Sequence, residues 1–250
     1  MTKLTMLLCC WGLFLIPKII HQIWLGPLTP PSEVMESWKL LHPQWQYRLW
    51  TEDNLPKLQN QKAFEKSTSY PQKADILRYE LLYQFGGVYV DADELCLKSI
   101  DGMVDEWNES SLPLVMAYEG SKQYPKLIAN TVMASIANNP FIGKLVDQID
   151  VSVKGDPWQV TGPMYLTDMF EALRPKASIL DSRVFYPIHH RDEENRDIDL
   201  KVLSKDPSVY GVHTWSGTKR SYEPKWYRSP LAYIVYLARR KLKKTFQLIQ

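Results

Sequence analysis

Cysteine is scarce in this chain: of 250 residues only Cys9, Cys10 and Cys96 carry thiols, and two of them are adjacent. Neither a disulfide framework nor a zinc-ligand spacing can be built from them, which fits a reducing compartment. An excess of one charge is also missing, because 30 Lys and Arg against 28 Asp and Glu leave a formal net charge of +2. A nucleic-acid binder needs a strong basic field to neutralise phosphates, so that class of partner is set aside. There is no low-complexity tract and no internal repeat, and the 17 prolines are spread along the chain. The apolar stretch at residues 4–16, broken by Thr5, falls short of the roughly 20 residues that a spanning helix needs. No small-residue cleavage site precedes the IPKIIHQIW run, which argues against a removed signal peptide. The stretch reads as a clipped anchor, a short interfacial segment or the lead-in to a core strand.

What is present is an ordinary globular composition, 45% hydrophobic and 23% charged. The length suits one sizeable α/β domain, expected over residues 17–224 between the short segment 1–16 and a tail at 225–250. In that tail Leu231, Ile234, Val235, Ala238, Leu242 and Phe246 recur at helical spacing beside Arg239, Arg240, Lys241, Lys243 and Lys244. Such a basic amphipathic helix either lies on an anionic membrane or docks on the core with a solvated face. In the body, strands are expected at residues 18–25, 46–50 and 114–118. Helices are expected at 32–41, 72–85, 141–149 and 164–173, the first opened by Ser32 and the second closed by Gly86 and Gly87. This alternation predicts an α/β sheet flanked by helices.

The segment ADILRYELLYQFGGVYVDAD at residues 74–93 holds the chemistry. Its helical part is apolar around nearly the whole circumference, so Asp75 and Arg78 are charges in a buried helix, spaced to pair with each other. If the following strand runs on regularly, Tyr89, Asp91 and Asp93 share one face. Two carboxylates there would be ~7 Å apart and would repel unless a cation lay between them. Magnesium or manganese suits such a pair, because it accepts one or two carboxylates and keeps positions for phosphate oxygens. The alternative reading of the pair is a solvated acidic turn. The carboxyl end of a strand in an α/β sheet is where such folds hold nucleotides.

The run DILRYELLYQFGGVYVDAD, with IPKIIHQIWLG upstream and Thr161-Gly162-Pro163 downstream, resembles glycosyltransferase family 32, the sugar-binding-region transferases with a DXD motif. In this segment it is also similar to the glucosylating domain of large clostridial toxins. The resemblance implies a GT-A-type fold and a retaining transfer of sugar from a UDP- or GDP-sugar donor to a glycan, lipid-linked or capsular acceptor, with Mn2+ or Mg2+. By position in the motif it implies Asp93 as the direct metal ligand and Asp91 on the ribose and metal-bound water. Asp75 and Arg78 would hold the donor sugar and diphosphate, and Tyr89 would lie near the nucleoside. Trp24 would stack on the base, and Asn130 and Gly162 would touch donor or acceptor. His213 would be a further metal ligand, with Trp215 and Ser216 closing over the diphosphate.

Several of these residues have plainer readings: Trp24 as a core residue, Asn130 as a helix cap, Gly162 as part of a tight turn. His21 reads as structural, and His189, His190, Arg191 and Asp192 as a polar surface loop. A non-catalytic nucleotide-sugar or glycan-binding protein and a metal-dependent phosphohydrolase are the alternative functions. The expected setting is cytoplasmic and peripheral at a membrane, or a Golgi membrane if residues 1–16 anchor the chain.

Overall fold

The computed structural model describes residues 15–150, 155–189, 191 and 199–215. The segment 1–14, the tail beyond residue 215 and Ser216 lie outside the described residues. Strand β1 (Ile19–Ile23), helix α1 (Ser32–Leu41) and strand β2 (Gln46–Trp50) open the fold, followed by α2 (Gln61–Lys66) and the long α3 (Tyr70–Phe85). Next come β3 (Gly87–Val90), β4 (Glu94–Cys96), α4 (Asp101–Glu109), β5 (Leu114–Tyr118) and β6 (Ile128–Ser135). Helices α5 (Pro140–Gln148), α6 (Pro157–Val160) and α7 (Pro163–Leu173) precede β7 (Ser178–Leu180), α8 (Leu200–Leu203) and β8 (Gly211–His213).

Six strands form a mixed sheet in the order β2-β1-β3-β6-β5-β7, and β4 pairs with β8 in a separate two-stranded sheet. Within the six, β6 runs antiparallel to both of its neighbours, while β1 is parallel to β2 and β3, and β5 to β7. The carboxyl ends of β1, β3 and β5 therefore meet at one edge, with the start of β6 among them. Side chains alternate across this sheet as strand geometry requires. Val88 and Val90 pack on one face with Trp38, Trp45 and Trp107, and Tyr89 packs on the other with Ile76, Leu77, Tyr79, Leu81 and Phe141.

Helix α3 is buried around most of its surface, Asp75, Arg78 and Glu80 included, as its apolar circumference predicts. The Ser69 side chain caps it by accepting from the Gln72 N–H, and Gly86 ends it at φ 63°. A Cβ at Gly86 would stand 2.6 Å from the Ala137 nitrogen, and one at Gly87, where φ is +94°, 2.6 Å from the Ile19 carbonyl oxygen. Only glycine fits both the backbone angles and the space, so the pair turns α3 directly into the strand that carries the acidic residues.

Three expectations are corrected. The strand stops at Val90, and the chain turns through Asp91 to Glu94, whose N–H donates to the Asp91 carbonyl at 3.1 Å; the acidic pair is in a turn, not on a regular strand. Asn130 lies within β6 and caps no helix. Helix α1 has no side-chain cap, and the Ser32 hydroxyl reaches back to the Pro30 carbonyl.

Candidate active site

Asp91 follows Tyr89 onto the α3 side of the sheet, where the Tyr89 hydroxyl donates to Asp91 Oδ1 at 2.6 Å. Arg78, one helix turn along from Asp75, places Nη2 3.0 Å from Asp75 Oδ1 and 3.2 Å from Asp91 Oδ1. Its guanidinium lies over the Tyr89 ring at 4.6 Å and donates to the Asn130 carbonyl. Burial opposes the charge on Arg78, but Asp91 and Asp75 more than offset that and hold the guanidinium protonated.

Asp75 is tied on both oxygens. Oδ1 accepts from Asn130 Nδ2 at 2.8 Å and Oδ2 from the Thr161 hydroxyl at 2.8 Å. Burial pushes its carboxyl up to about 6, while Arg78 and the Thr161 hydrogen bond pull it back. The i, i+3 pairing read from the sequence is thus present, and its members are largely satisfied by the protein. Tyr89, expected near the nucleoside, is 1% exposed, and its partners are Asp91 and Arg78.

Strand β8 returns to the same place. Glu94 lies directly opposite His213 in the β4–β8 pair, and the Thr214 N–H donates to the Asp93 carbonyl at 2.9 Å. His213 Nδ1 comes to 3.5 Å from Asp93 Oδ1 and 3.2 Å from Glu94 Oε2. Burial alone would lower the pKa of His213, but Asp93, Glu94 and Asp91 together push it up to about 9. Burial drives Glu94 the other way from an ordinary carboxylate, to about 8, and raises Asp91 as well.

Asp91, Asp93 and His213 each offer a ligand atom, and these atoms lie within 4.8 Å of one another. Two carboxylates and an imidazole suit a divalent cation. A second observation agrees. Among the described residues, the buried side-chain polar atoms without a hydrogen-bond partner are Arg78 Nε, both Glu94 oxygens, His213 Nδ1 and Thr214 Oγ1. All belong to this one cluster. Two of them, Glu94 Oε2 and His213 Nδ1, face each other at 3.2 Å; for buried polar groups otherwise left unmatched, a bound ion, a water or a catalytic role is among the explanations. The residues present therefore fit a bound cation.

Of the remaining expectations, Trp24 is half-buried at the carboxyl end of β1 and is no core residue. Its Nε1 donates to the Leu28 carbonyl at 2.7 Å. Beside it, Gln22 Nε2 donates to the Asp91 carbonyl at 3.2 Å. Gly162 caps α7, and it is the neighbouring Thr161 that touches Asp75. Trp215, expected in a closing lid, is 5% exposed. Its indole donates to the Ile188 carbonyl and stacks edgewise on His213 at 4.4 Å, and its φ of 57° is unusual for so bulky a residue.

His189 corrects the surface-loop reading. It is 7% exposed, 3.1 Å from Glu119 Oε1, and packed edgewise on Trp215; Arg191 is exposed as expected, and His190 and Asp192 lie outside the described residues. Sequence reasoning missed Glu94, Thr161 as the Asp75 partner, and the 2.6 Å contact between the Tyr186 and Thr131 hydroxyls beneath the site. For Glu94 a signal existed: a carboxylate opening the otherwise apolar run ELCL.

An α/β sheet that gathers two aspartates, a histidine and a buried Asp–Arg pair at the carboxyl ends of its parallel strands has the layout of a nucleotide-sugar-binding domain. Residues 31–112 match the family described as glycosyltransferase sugar-binding region containing DXD motif. It is 28% identical over 179 residues to inositol phosphoceramide mannosyltransferase 2 of Schizosaccharomyces pombe, covering 62% of this chain and 46% of that protein. To mannosyl phosphorylinositol ceramide synthase CSH1 of Saccharomyces cerevisiae it is 26% identical over 201 residues, 72% of this chain and 50% of that one. The chain thus spans about half the length of these curated relatives. Among solved structures, the apo form of the glycosyltransferase GlyE of Streptococcus pneumoniae superposes with a TM-score of 0.50, covering 92% of this chain and 64% of that chain at 9% identity. That likeness shows a common fold.

Proposed function

We propose that the chain is a retaining glycosyltransferase that moves a sugar from a nucleotide diphosphate donor to a hydroxyl of a glycan or lipid-linked acceptor, using Mn2+ or Mg2+ at Asp91, Asp93 and His213. The observation that carries this reading is the convergence of ligand atoms from those three residues to within 4.8 Å of one another, beside the buried Asp75–Arg78 pair. A bound ion would supply neutralisation of the charge that develops on the departing diphosphate.

The chain's own residues do the rest. Asp93 and His213 would hold the ion, and Asp91, steadied by Tyr89 and Arg78, would divide its contacts between the ribose and the ion's surroundings. Arg78 adds a fixed positive charge beside the leaving group. Half-buried Trp24 offers a ring face to the base at the carboxyl end of β1. Asn130 and the Thr161-Gly162 turn hold Asp75 toward the donor sugar. Asp75 is a poor covalent nucleophile, because both of its oxygens already accept hydrogen bonds. Retention therefore follows from attack on the face the diphosphate leaves, with a phosphate oxygen taking the acceptor proton.

The names of the curated relatives support a mannosyl donor and a phosphoinositol-bearing lipid as the first pair to try. A lipid acceptor puts the reaction at a membrane face, cytoplasmic or Golgi. Among the described residues no helix is long and apolar enough to cross a membrane. The test is nucleotide release from a panel of UDP- and GDP-sugars with and without Mn2+, with the product identified by mass spectrometry. Release that needs both the metal and Asp93 is expected; hydrolysis of simple phosphate esters, or no metal-dependent release from any donor, would overturn the reading.

A further inference from the structure

The β4–β8 pair carries a group that the transferase reading leaves unused. In an antiparallel pair, directly opposite side chains project from the same face, and residues two apart repeat it. Glu94 is opposite His213 and Cys96 is opposite Gly211, so these four positions share one face. Gly211 has no side chain, and a Cβ there would stand 2.7 Å from Glu94 Oε1. The glycine therefore makes the room that the carboxylate occupies. Glu94 is 0% exposed, and apart from His213 its oxygens have no hydrogen-bond partner. A buried carboxylate held this way is expensive, and an apolar residue would fill the place at no such cost. Its Oε2 faces His213 Nδ1 at 3.2 Å, and Glu94 is not among the three residues whose ligand atoms converge. Its contact with that group is through His213.

We propose that Glu94 is a positioning residue for metal binding: its carboxylate, facing His213 Nδ1, fixes the tautomer and orientation of the ring that would offer a ligand atom to the ion. Gly211 is the other half of the device, since its missing side chain keeps the carboxylate in place. Outer-shell carboxylates of this kind orient the imidazole and raise its basicity as a ligand. The inference rests on Asp91, Asp93 and His213 being a metal site.

The experiment is a calorimetric titration of the full chain with Mn2+ alone, alongside thermal unfolding of each metal-free variant. Glu94→Gln keeps an oxygen acceptor and loses the charge, so its dissociation constant rises about tenfold; Glu94→Leu, which loses both, rises about a hundredfold. Gly211→Ala weakens binding by displacing the carboxylate and adds little in the Glu94→Leu background, because the two act through one group. Metal-free Glu94→Leu also removes one partner of the buried His213–Glu94 pair and so melts lower than wild type; Mn2+ affinity, measured well below each variant's melting temperature, is the deciding readout. A carboxylate with a purely structural role would lower the melting temperature and leave Mn2+ affinity alone. Asp93→Asn separates the two levels of the argument. If wild type binds no Mn2+, or Asp93→Asn binds it equally well, the metal site and the Glu94 proposal fall together. If Asp93→Asn abolishes binding while both Glu94 variants bind as wild type does, only the Glu94 proposal falls.

Discussion

Two histidines of this chain are buried to nearly the same degree, His21 at 0% and His213 at 4% exposure, and their surroundings drive them in opposite directions. His21 sits in β1 between Trp50 and Phe85. Trp50 Nε1 can only donate, so Nδ1 of His21 accepts from it at 3.0 Å and Nε2–H donates to the Gly86 carbonyl at 2.9 Å. Both nitrogens are matched with the ring neutral, and burial lowers the pKa to about 4. His213 faces carboxylates instead, and is raised to about 9. Depth is the same for both, so burial alone does not mark a functional histidine. The neighbours decide whether the ring serves packing or chemistry.

The sharpest way to test this contrast is to remove the charge that defines the second environment. Asp93→Asn should slow transfer roughly a thousandfold or more, several kcal/mol of added barrier, while the chain still folds, with the metal-free melting temperature somewhat lowered by loss of a His213 partner. Measured initial rates at saturating donor would check it, and wild-type turnover in the variant would remove the basis for treating the His213 side as chemical. His213→Gln comes next. Loss of a ligand should raise the Mn2+ concentration needed for half-maximal rate by roughly a hundredfold, at least matching the loss of an outer-shell partner.

His21→Leu should do the reverse. It strands the Gly86 carbonyl and the Trp50 indole N–H, costing about 2–4 kcal/mol of stability in denaturant melts, with Mn2+ affinity unchanged in the folded fraction. The pH dependence separates the pair further. His21 has its pKa lowered from 6.5 to about 4, so the unfolded chain binds the proton first as pH falls. Stability is therefore lost between those values, by on the order of 3 kcal/mol, and His21→Leu should flatten that acid limb. His213 has its pKa raised from 6.5 to about 9; in the metal-free protein its contribution is present below 6.5 and fades as pH rises toward 9. The smallest effect is expected at Trp24, two residues past His21's neighbour Gln22. Trp24→Ala should weaken nucleotide binding about tenfold by loss of a ring face and barely move the melting temperature. A large loss of stability instead would assign Trp24 to packing, with His21.

Much of this contrast could be read from the residues alone. The bounds of α1, β2 and β5 follow from local periodicity and punctuation, and the Asp75–Arg78 spacing predicted the buried pair that is present. What could not be read depends on distant partners. Strand β6 is buried on both faces, so IANTVMAS shows no clear alternation and a helix cap stayed open as the plainer reading of Asn130. Strands β4 and β8 are three residues each, too short for a pattern, and only their pairing reveals that Glu94 meets His213 or that the acidic pair sits in a turn. His189 looked like surface because its neighbours in sequence are polar, whereas its contacts are Glu119 and Trp215.

The pairing of β4 with β8 also sets an order of assembly. The acidic turn precedes its imidazole, which belongs to the last described strand, so the two halves of the cluster meet only when almost all of the described sheet is available to bring them together. A contact closed over so long a stretch of chain forms late in folding. The acidic turn on its own thus lacks the site's third member, and competence to hold the ion becomes a report that the rest of the sheet has already been built correctly.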